Sequence, residues 1–332
     1  MAELVFVGCY TGDAGNGTGI TTFSRSASGS LTEVTSLPLE CPSWLVKHPT
    51  LPVLYAVNET ASGAVTALSI APSGSLSVLG TLETGGAHPC HLAVTPDGRF
   101  LLCANYTGGS LAVFSLAPDG ALLSRTALAQ HHGNGPVSDR QEAAHVHMAV
   151  PGPGIVSAVD LGTDEIRSYT LSASGDLSLP AVSSLPAGTG PRQLVRRPGT
   201  DLAYVVGELA GTVVTVRETS PGAFDVVAVT ASTLSSVTPN LVAHLELADT
   251  RMYVSNRGPD CVTEFALDEA LAVADQSCGA NPRHFALVDG TCYVAAQSAD
   301  AITAFTLTAS GEADLKHYPT GSPTFVLPVS LP

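Results

Sequence analysis

The feature that most constrains this chain is a repeat. Three families of positions each recur seven times along it. The first marks the start of an apolar run, at Trp44, His91, His147, Gln193, His244, His284 and Phe325. The second marks where the following run ends, at Tyr10, Glu59, Tyr106, Leu161, Glu208, Arg257 and Gln297, with intervals of 49, 47, 55, 47, 49 and 40 residues. The third opens a further apolar segment, at Ile20, Val65, Leu111, Ile166, Val213, Val262 and Ile302. Most copies of it lead into a turn built on glycine: Gly29, Gly74, Gly120, Gly175, Gly222 and Gly311. Glycine there supplies the positive φ that hairpin turns need.

Short β segments repeating every 40 to 50 residues or so are the signature of propeller blades. The expected fold is therefore all-β, a single seven-bladed β-propeller domain over residues 1–332. The order of copies adds a detail. Phe325 has no strand-end after it, and Tyr10 has no strand-start before it. One blade should combine the C-terminal segment, as inner strand, with Leu4–Val7, so that both termini close the ring and leave no free edge. The blade around Arg257 lacks the turn glycine and is the shortest.

Composition narrows the function. The formal net charge is −15, with two lysines, Lys47 and Lys316. Nucleic acid is not an expected partner, since phosphate backbones demand a basic surface. A small anion can still be held if a few arginines converge. Seven scattered cysteines with no C-x-x-C pair argue for reduced thiols, with Cys9 and Cys103 as core, and against a disulfide framework or a zinc site. The N-terminus lacks a basic region ahead of its short apolar run, and no stretch is long enough to span a membrane. The expectation is a cytoplasmic protein, monomeric or homodimeric, without a membrane partner or cofactor.

Chemistry concentrates in Arg140-Gln141-Glu142-Ala143-Ala144-His145-Val146-His147. An arginine, a carboxylate and two histidines stand at the mouth of an apolar strand. They follow an insertion, Gln130 to Glu142, that reads as a functional loop. Strand-start and strand-end lie 13 to 15 residues apart within a blade, so an antiparallel pair brings them side by side. Both families should then ring one end of the central channel. Their polar members include Glu59, His91, His147, Gln193, Glu208, His244, Arg257, His284 and Gln297. Arg192 and Arg283, each one residue before a strand-start, join them. A buried Glu208 is costly unless paired, and Arg192 is its candidate partner. His131-His132 is a weak metal signal without a spaced third ligand, and Arg196-Arg197 reads as a solvated turn.

At these residues the chain resembles the bacterial lactonase family of seven-bladed propellers, which includes propeller-type 6-phosphogluconolactonases and the fungal carboxy-cis,cis-muconate cyclase. The phrases that carry the resemblance are His88-Pro-Cys-His-Leu-Ala-Val-Thr-Pro-Asp-Gly-Arg, Ala104-Asn-Tyr-Thr-Gly-Gly-Ser, Asp139-Arg-Gln-Glu-Ala-Ala-His-Val-His, Asp160-Leu-Gly-Thr-Asp, Gly190-Pro-Arg, Gly207-Glu-Leu and Ser255-Asn-Arg-Gly. The resemblance implies His147, Arg192, Arg257 and Glu208 as catalytic residues. Arg140, His91, His145, Gln193, Glu59, Arg283 and Gln297 are the expected substrate-binding residues, with no metal. Gly207, Gln193 and Ala143-Ala144 depart from the usual family pattern.

The expected activity is hydrolysis of an anionic sugar lactone such as 6-phosphogluconolactone. His147 would activate water, the arginines would hold the anion and the developing oxyanion, and Glu208 would orient Arg192 or carry a proton. The same groups suit a cyclase that closes a ring on an unsaturated carboxylate. A metal-dependent lactonase using Glu59, Glu208, His91 and His147 as ligands, and a non-catalytic interaction propeller, are the other readings.

Overall fold

The computed structural model describes residues 3–152, 154–268, 270–307 and 314–330. Within them the chain forms seven four-stranded sheets, six of which follow one another directly along the chain. The sheet Pro89–Val94, Phe100–Asn105, Ser110–Leu116, Leu122–Gln130 shows the pattern. Each strand pairs antiparallel with the one before it. The next two sheets repeat it over Val146–Ser184 and Pro191–Ala231.

The seventh sheet joins the two ends of the chain. Pro323–Ser330 pairs with Glu3–Cys9, which continues to Gly19–Arg25 and Leu31–Pro38. This is the blade the orphan strand-start and strand-end predict.

Sequence pattern explains the layering. The second strands, Val53–Asn58, Phe100–Asn105 and Ile155–Asp160, are buried throughout, because both faces of a blade pack against neighbouring sheets. Outer strands such as Leu31–Pro38 and Leu76–Glu83 alternate toward solvent. The turn glycines do what the repeat requires: Gly29, Gly74, Gly120, Gly175 and Gly222 lie at φ between 77° and 90°. Gly311 lies outside the described residues. In the blade without a turn glycine, Ala270 takes φ 48° instead.

The chain divides into two compact units, Met1–Leu45 with Ile70–Ser77 and Thr230–Pro332, and Val46–Ser69 with Val78–Val229. In the first, Val5, Val7 and Val326 pack with Tyr293, Ala295 and Ile302. In the second, Leu102, Leu111 and Val113 pack with Val146, Ala149 and Tyr169. Val159, Ile166, Leu194, Val205 and Phe224 form its next core layer. Among the described residues, no helix is long and apolar enough to cross a membrane.

Candidate functional site

One irregularity recurs at the start of the inner strands. The register shifts between Pro89 and His91, Val146 and Met148, Pro191 and Gln193, Val242 and His244, and Pro282 and His284. The C-terminal strand shifts likewise, with Phe325 opposite Gly8 and Pro323 opposite Cys9. Each shift is a β-bulge, one unpaired extra residue that re-aims its side chain. The bulged residues are Cys90, His147, Arg192, Ala243, Arg283 and Thr324.

This corrects the alignment read from the sequence, which places His147 with His91 and Gln193. The pairing puts it one residue out, beside Cys90 and Arg192, and puts Met148 in line with His91. An apolar run shows where a strand begins but not which of its first residues is skipped by the ladder. The strand-end family keeps its register. Asn105, Asp160, Gly207, Asn256 and Ala296 face the residue before each bulge, and the strand-end residue follows directly.

The second unit brings its bulge and strand-end residues together. Glu208, 2% exposed, accepts hydrogen bonds from two arginines. Arg192 Nη1 donates to Oε2 at 2.9 Å, and Arg140 Nη2 donates to Oε1 at 2.7 Å. The pairing of Glu208 with Arg192 is the one its burial calls for. Arg192 Nη1 also donates to Nε2 of His147. A guanidinium has no acceptor, so Nε2 carries the lone pair and the ring proton sits on Nδ1. Nδ1 lies 3.7 Å from the Cys90 thiol, which donates to the His147 carbonyl at 3.4 Å.

Tyr106 completes the cluster. Its hydroxyl accepts from Arg140 Nη2 at 3.3 Å. Its ring stacks on His145 at 4.6 Å and stands edge-on to His147 at 5.5 Å. Burial pushes the Tyr106 phenol up, partly offset by the Arg140 cation. Burial by itself would weaken the Arg140 cation, but its bonds to Tyr106 and Glu208 outweigh that and hold its pKa above the ordinary value. His145 faces the Tyr106 carbonyl through Nδ1 at 3.1 Å and Glu142 through Nε2 at 3.1 Å.

The loop before His147 is anchored from within. His131 Nδ1 meets Asp160 Oδ2 at 2.7 Å, and its Nε2 meets the Tyr169 hydroxyl at 2.8 Å. Both ring nitrogens are engaged, so His131 is a structural pin. Asp160 Oδ1 accepts from the backbone of His145, Gly162 and Thr163. Gln141 donates to the Leu161 carbonyl at 2.8 Å. These bonds tie the segment that carries Arg140 and His145 to the strand-end of the His147 blade. Among the described residues, no group of three or more His, Cys, Asp or Glu is placed to hold a metal ion.

Other predicted residues are placed differently. His91 is buried, and its Nδ1 accepts from the Ala149 backbone at 3.4 Å, which ties adjacent inner strands. Gln193 is buried, and Glu59 is half-buried at its strand-end. Arg196 is not in a solvated turn: it makes a two-point ion pair with Glu218 at 2.6 and 3.0 Å and lies over the Phe224 ring.

In the first unit, Arg257 ends Arg251–Arg257 and donates from Nε to the Leu241 carbonyl at 2.9 Å. Arg283 donates to the Tyr10 hydroxyl at 2.9 Å, and Gln297 accepts from Asn281 at 3.1 Å. His244, His284, Phe325 and Trp44 form a column of rings with successive centroids 3.8, 3.9 and 4.2 Å apart. Sequence reasoning left Cys90 and Tyr106 out of the site. Their signal was present, since Cys90 precedes His91 as Arg192 precedes Gln193, and Tyr106 is the strand-end equivalent of Glu208.

Comparison with known proteins agrees with this architecture. Residues 4–328 match the family described as "Lactonase, 7-bladed beta-propeller". The chain is 31% identical over 274 residues to the 6-phosphogluconolactonase of Bacillus subtilis, covering 80% of this chain and 77% of that protein. It is 28% identical over 305 residues to the 6-phosphogluconolactonase of Formosa agariphila, covering 85% and 86%. The structure of the periplasmic gluconolactonase PpgL of Pseudomonas aeruginosa aligns over 100% of both chains, with a TM-score of 0.91 and 27% identity.

Proposed function

The chain belongs to the family of seven-bladed β-propeller lactonases, and on that premise we propose that it hydrolyses 6-phosphogluconolactone or a closely related anionic sugar lactone. The observation that carries the reading is the chain of contacts Arg140–Glu208–Arg192–His147. It sets a neutral imidazole beside Arg192, and the two guanidinium groups share one buried carboxylate, which leaves a net positive charge to meet an anion.

In this reading His147 Nε2 takes a proton from water as the water oxygen attacks the lactone carbonyl. A guanidinium stabilises the tetrahedral oxyanion. Collapse breaks the ring C–O bond, and the proton passes from the imidazolium to the departing alkoxide. The product is an open hydroxy acid, which ionises. Arg192 and Arg140 supply the cationic field for the substrate's phosphate or carboxylate. Glu208 holds both arginines in place. The family resemblance implies Arg257 as a further catalytic arginine, while the repeat and the stretch before His147 nominate His91, His145, Gln193, Glu59, Arg283 and Gln297 as substrate contacts. We take the whole chain as one domain, since the family match spans it. A cytoplasmic setting suits its seven free, buried cysteines.

The test is the rate of 6-phosphogluconolactone opening above the spontaneous rate, for wild type, His147→Ala, Glu208→Gln and Arg257→Met. Acceleration by wild type that falls by about 100-fold or more in His147→Ala supports the reading. A wild type that adds nothing over buffer removes this substrate, and ring closure of unsaturated dicarboxylates becomes the next assay.

A further inference from the structure

Arg192 Nη1 has two N–H groups, and they point at Glu208 Oε2 and at His147 Nε2. The lone pair that a general base must offer to water is therefore already engaged. The other ring nitrogen faces the Cys90 thiol and carries the ring proton. We infer that Arg192 masks His147 in the free protein, and that an oxyanion on the bound molecule unmasks it by drawing the guanidinium away. The inference rests on the lactonase reading of this site and adds a gate to it.

Three relationships make the exchange favourable. A neutral imidazole is a weaker partner for a guanidinium than a phosphate or carboxylate, which forms charge-assisted, two-point bonds. Glu208 does not lose its compensation when Arg192 shifts, because Arg140 still donates to Oε1 at 2.7 Å. The imidazole also keeps its place, held by the edge of Tyr106 at 5.5 Å and by Cys90 behind Nδ1. The base is thus exposed only when an anion is present to be acted on.

The gate has a signature independent of turnover. Arg192, Cys90 and Tyr106 face His147, with Glu208 and Arg140 behind Arg192 and His145 across the Tyr106 ring. In the free protein, the Arg192 cation on Nε2 opposes protonation of the ring. An anion that takes Arg192 both frees Nε2 and neutralises that cation, so the titration midpoint of His147 must rise. By linkage, the anion must also bind more tightly as the ring protonates.

The experiment uses the full chain with ¹⁵N-labelled histidine. Long-range ¹H–¹⁵N spectra of the ring nitrogens are recorded across roughly pH 5 to 9, with inorganic phosphate or with chloride at equal ionic strength. His147→Gln assigns the resonance, and calorimetry confirms phosphate binding. The expected result is an Nδ1–H tautomer in chloride and a midpoint higher by about one unit or more in phosphate, where one unit is a tenfold change in proton affinity. Arg192→Met should show the raised midpoint in both salts. If that variant fails to fold, Arg192→Lys, which retains the charge beside Glu208, should show a reduced phosphate response.

An unchanged midpoint with phosphate bound, or absence of phosphate binding, would overturn the gate. The two readings fail separately. A phosphate-linked His147 in a protein that does not open 6-phosphogluconolactone keeps the gate and loses the substrate. An active enzyme whose His147 ignores phosphate does the reverse.

Discussion

Arg192 and His147 are the bulged residues of consecutive blades, and their side chains meet, Nη1 on Nε2. A bulge leaves one residue out of the ladder and re-aims its side chain. That is how Arg192 also reaches Glu208, the strand-end residue that follows Gly207. The site is a product of where the ladder is interrupted, repeated from blade to blade.

Glu208 is the hinge of that arrangement, and its removal should be felt in stability as well as rate. It is 2% exposed and is bonded to both Arg192 and Arg140. Glu208→Ala leaves the nearly buried Arg192 without its carboxylate and should cost about 3 kcal/mol. Glu208→Gln keeps one oxygen acceptor and should cost less. Urea unfolding of the two variants measures the difference; equal, negligible losses would contradict the buried-pair assignment.

Asp160 should dominate local acid sensitivity. Burial by itself would raise its pKa, but the bonds from His131 and the His145 backbone outweigh that and hold it below the ordinary value. A carboxylate depressed in the folded state contributes fully above its unfolded value of about 3.9, and that contribution is lost as pH falls through the folded value. Asp160→Asn can still accept from the backbone, while His131 switches tautomer. It should lose less stability than wild type over that acid window. Asp160→Ala strands three backbone N–H groups and should cost about 3 kcal/mol at neutral pH. Denaturant melts at neutral and acid pH separate these outcomes.

The C-terminal strand should be indispensable to the blade it completes. Val326 pairs opposite Val7 and is 1% exposed among Val5, Phe23 and Tyr293. Val326→Asp places an unpaired carboxylate in that layer and should cost about 3 kcal/mol or more. Truncation before Pro323 should abolish cooperative unfolding. A truncated chain that melts like the whole would refute the closing role of this strand.

Ala270 offers the opposite case, a stabilising change. It holds φ 48° where other blades place glycine. A side chain in the left-handed region costs about 1–2 kcal/mol, part of which glycine returns as chain entropy. Ala270→Gly should therefore raise stability by about 0.5–1 kcal/mol. A thermal melt that moves down would show that the Ala270 methyl packs against something worth more than the strain it causes.

The repeat was legible because burial on both faces of a blade forces apolar second strands at regular intervals. No residue of Phe100–Asn105 or Ile155–Asp160 could be freely polar and exposed. Blade count and closure by both termini follow from that periodicity. The need for a partner at Glu208 was equally legible, since an isolated carboxylate beside a buried strand is costly. The one-residue skips at Cys90, His147 and Arg192 were not, because a bulge changes pairing without changing composition. The pairing of Arg196 was hidden for a similar reason: Glu218, its partner, lies one hairpin away. The sequence alone therefore determined the architecture and the residue types that would carry chemistry. Tertiary structure decided which of them touch, because hydrogen-bond register and bulge geometry set side-chain direction only after the strands have paired.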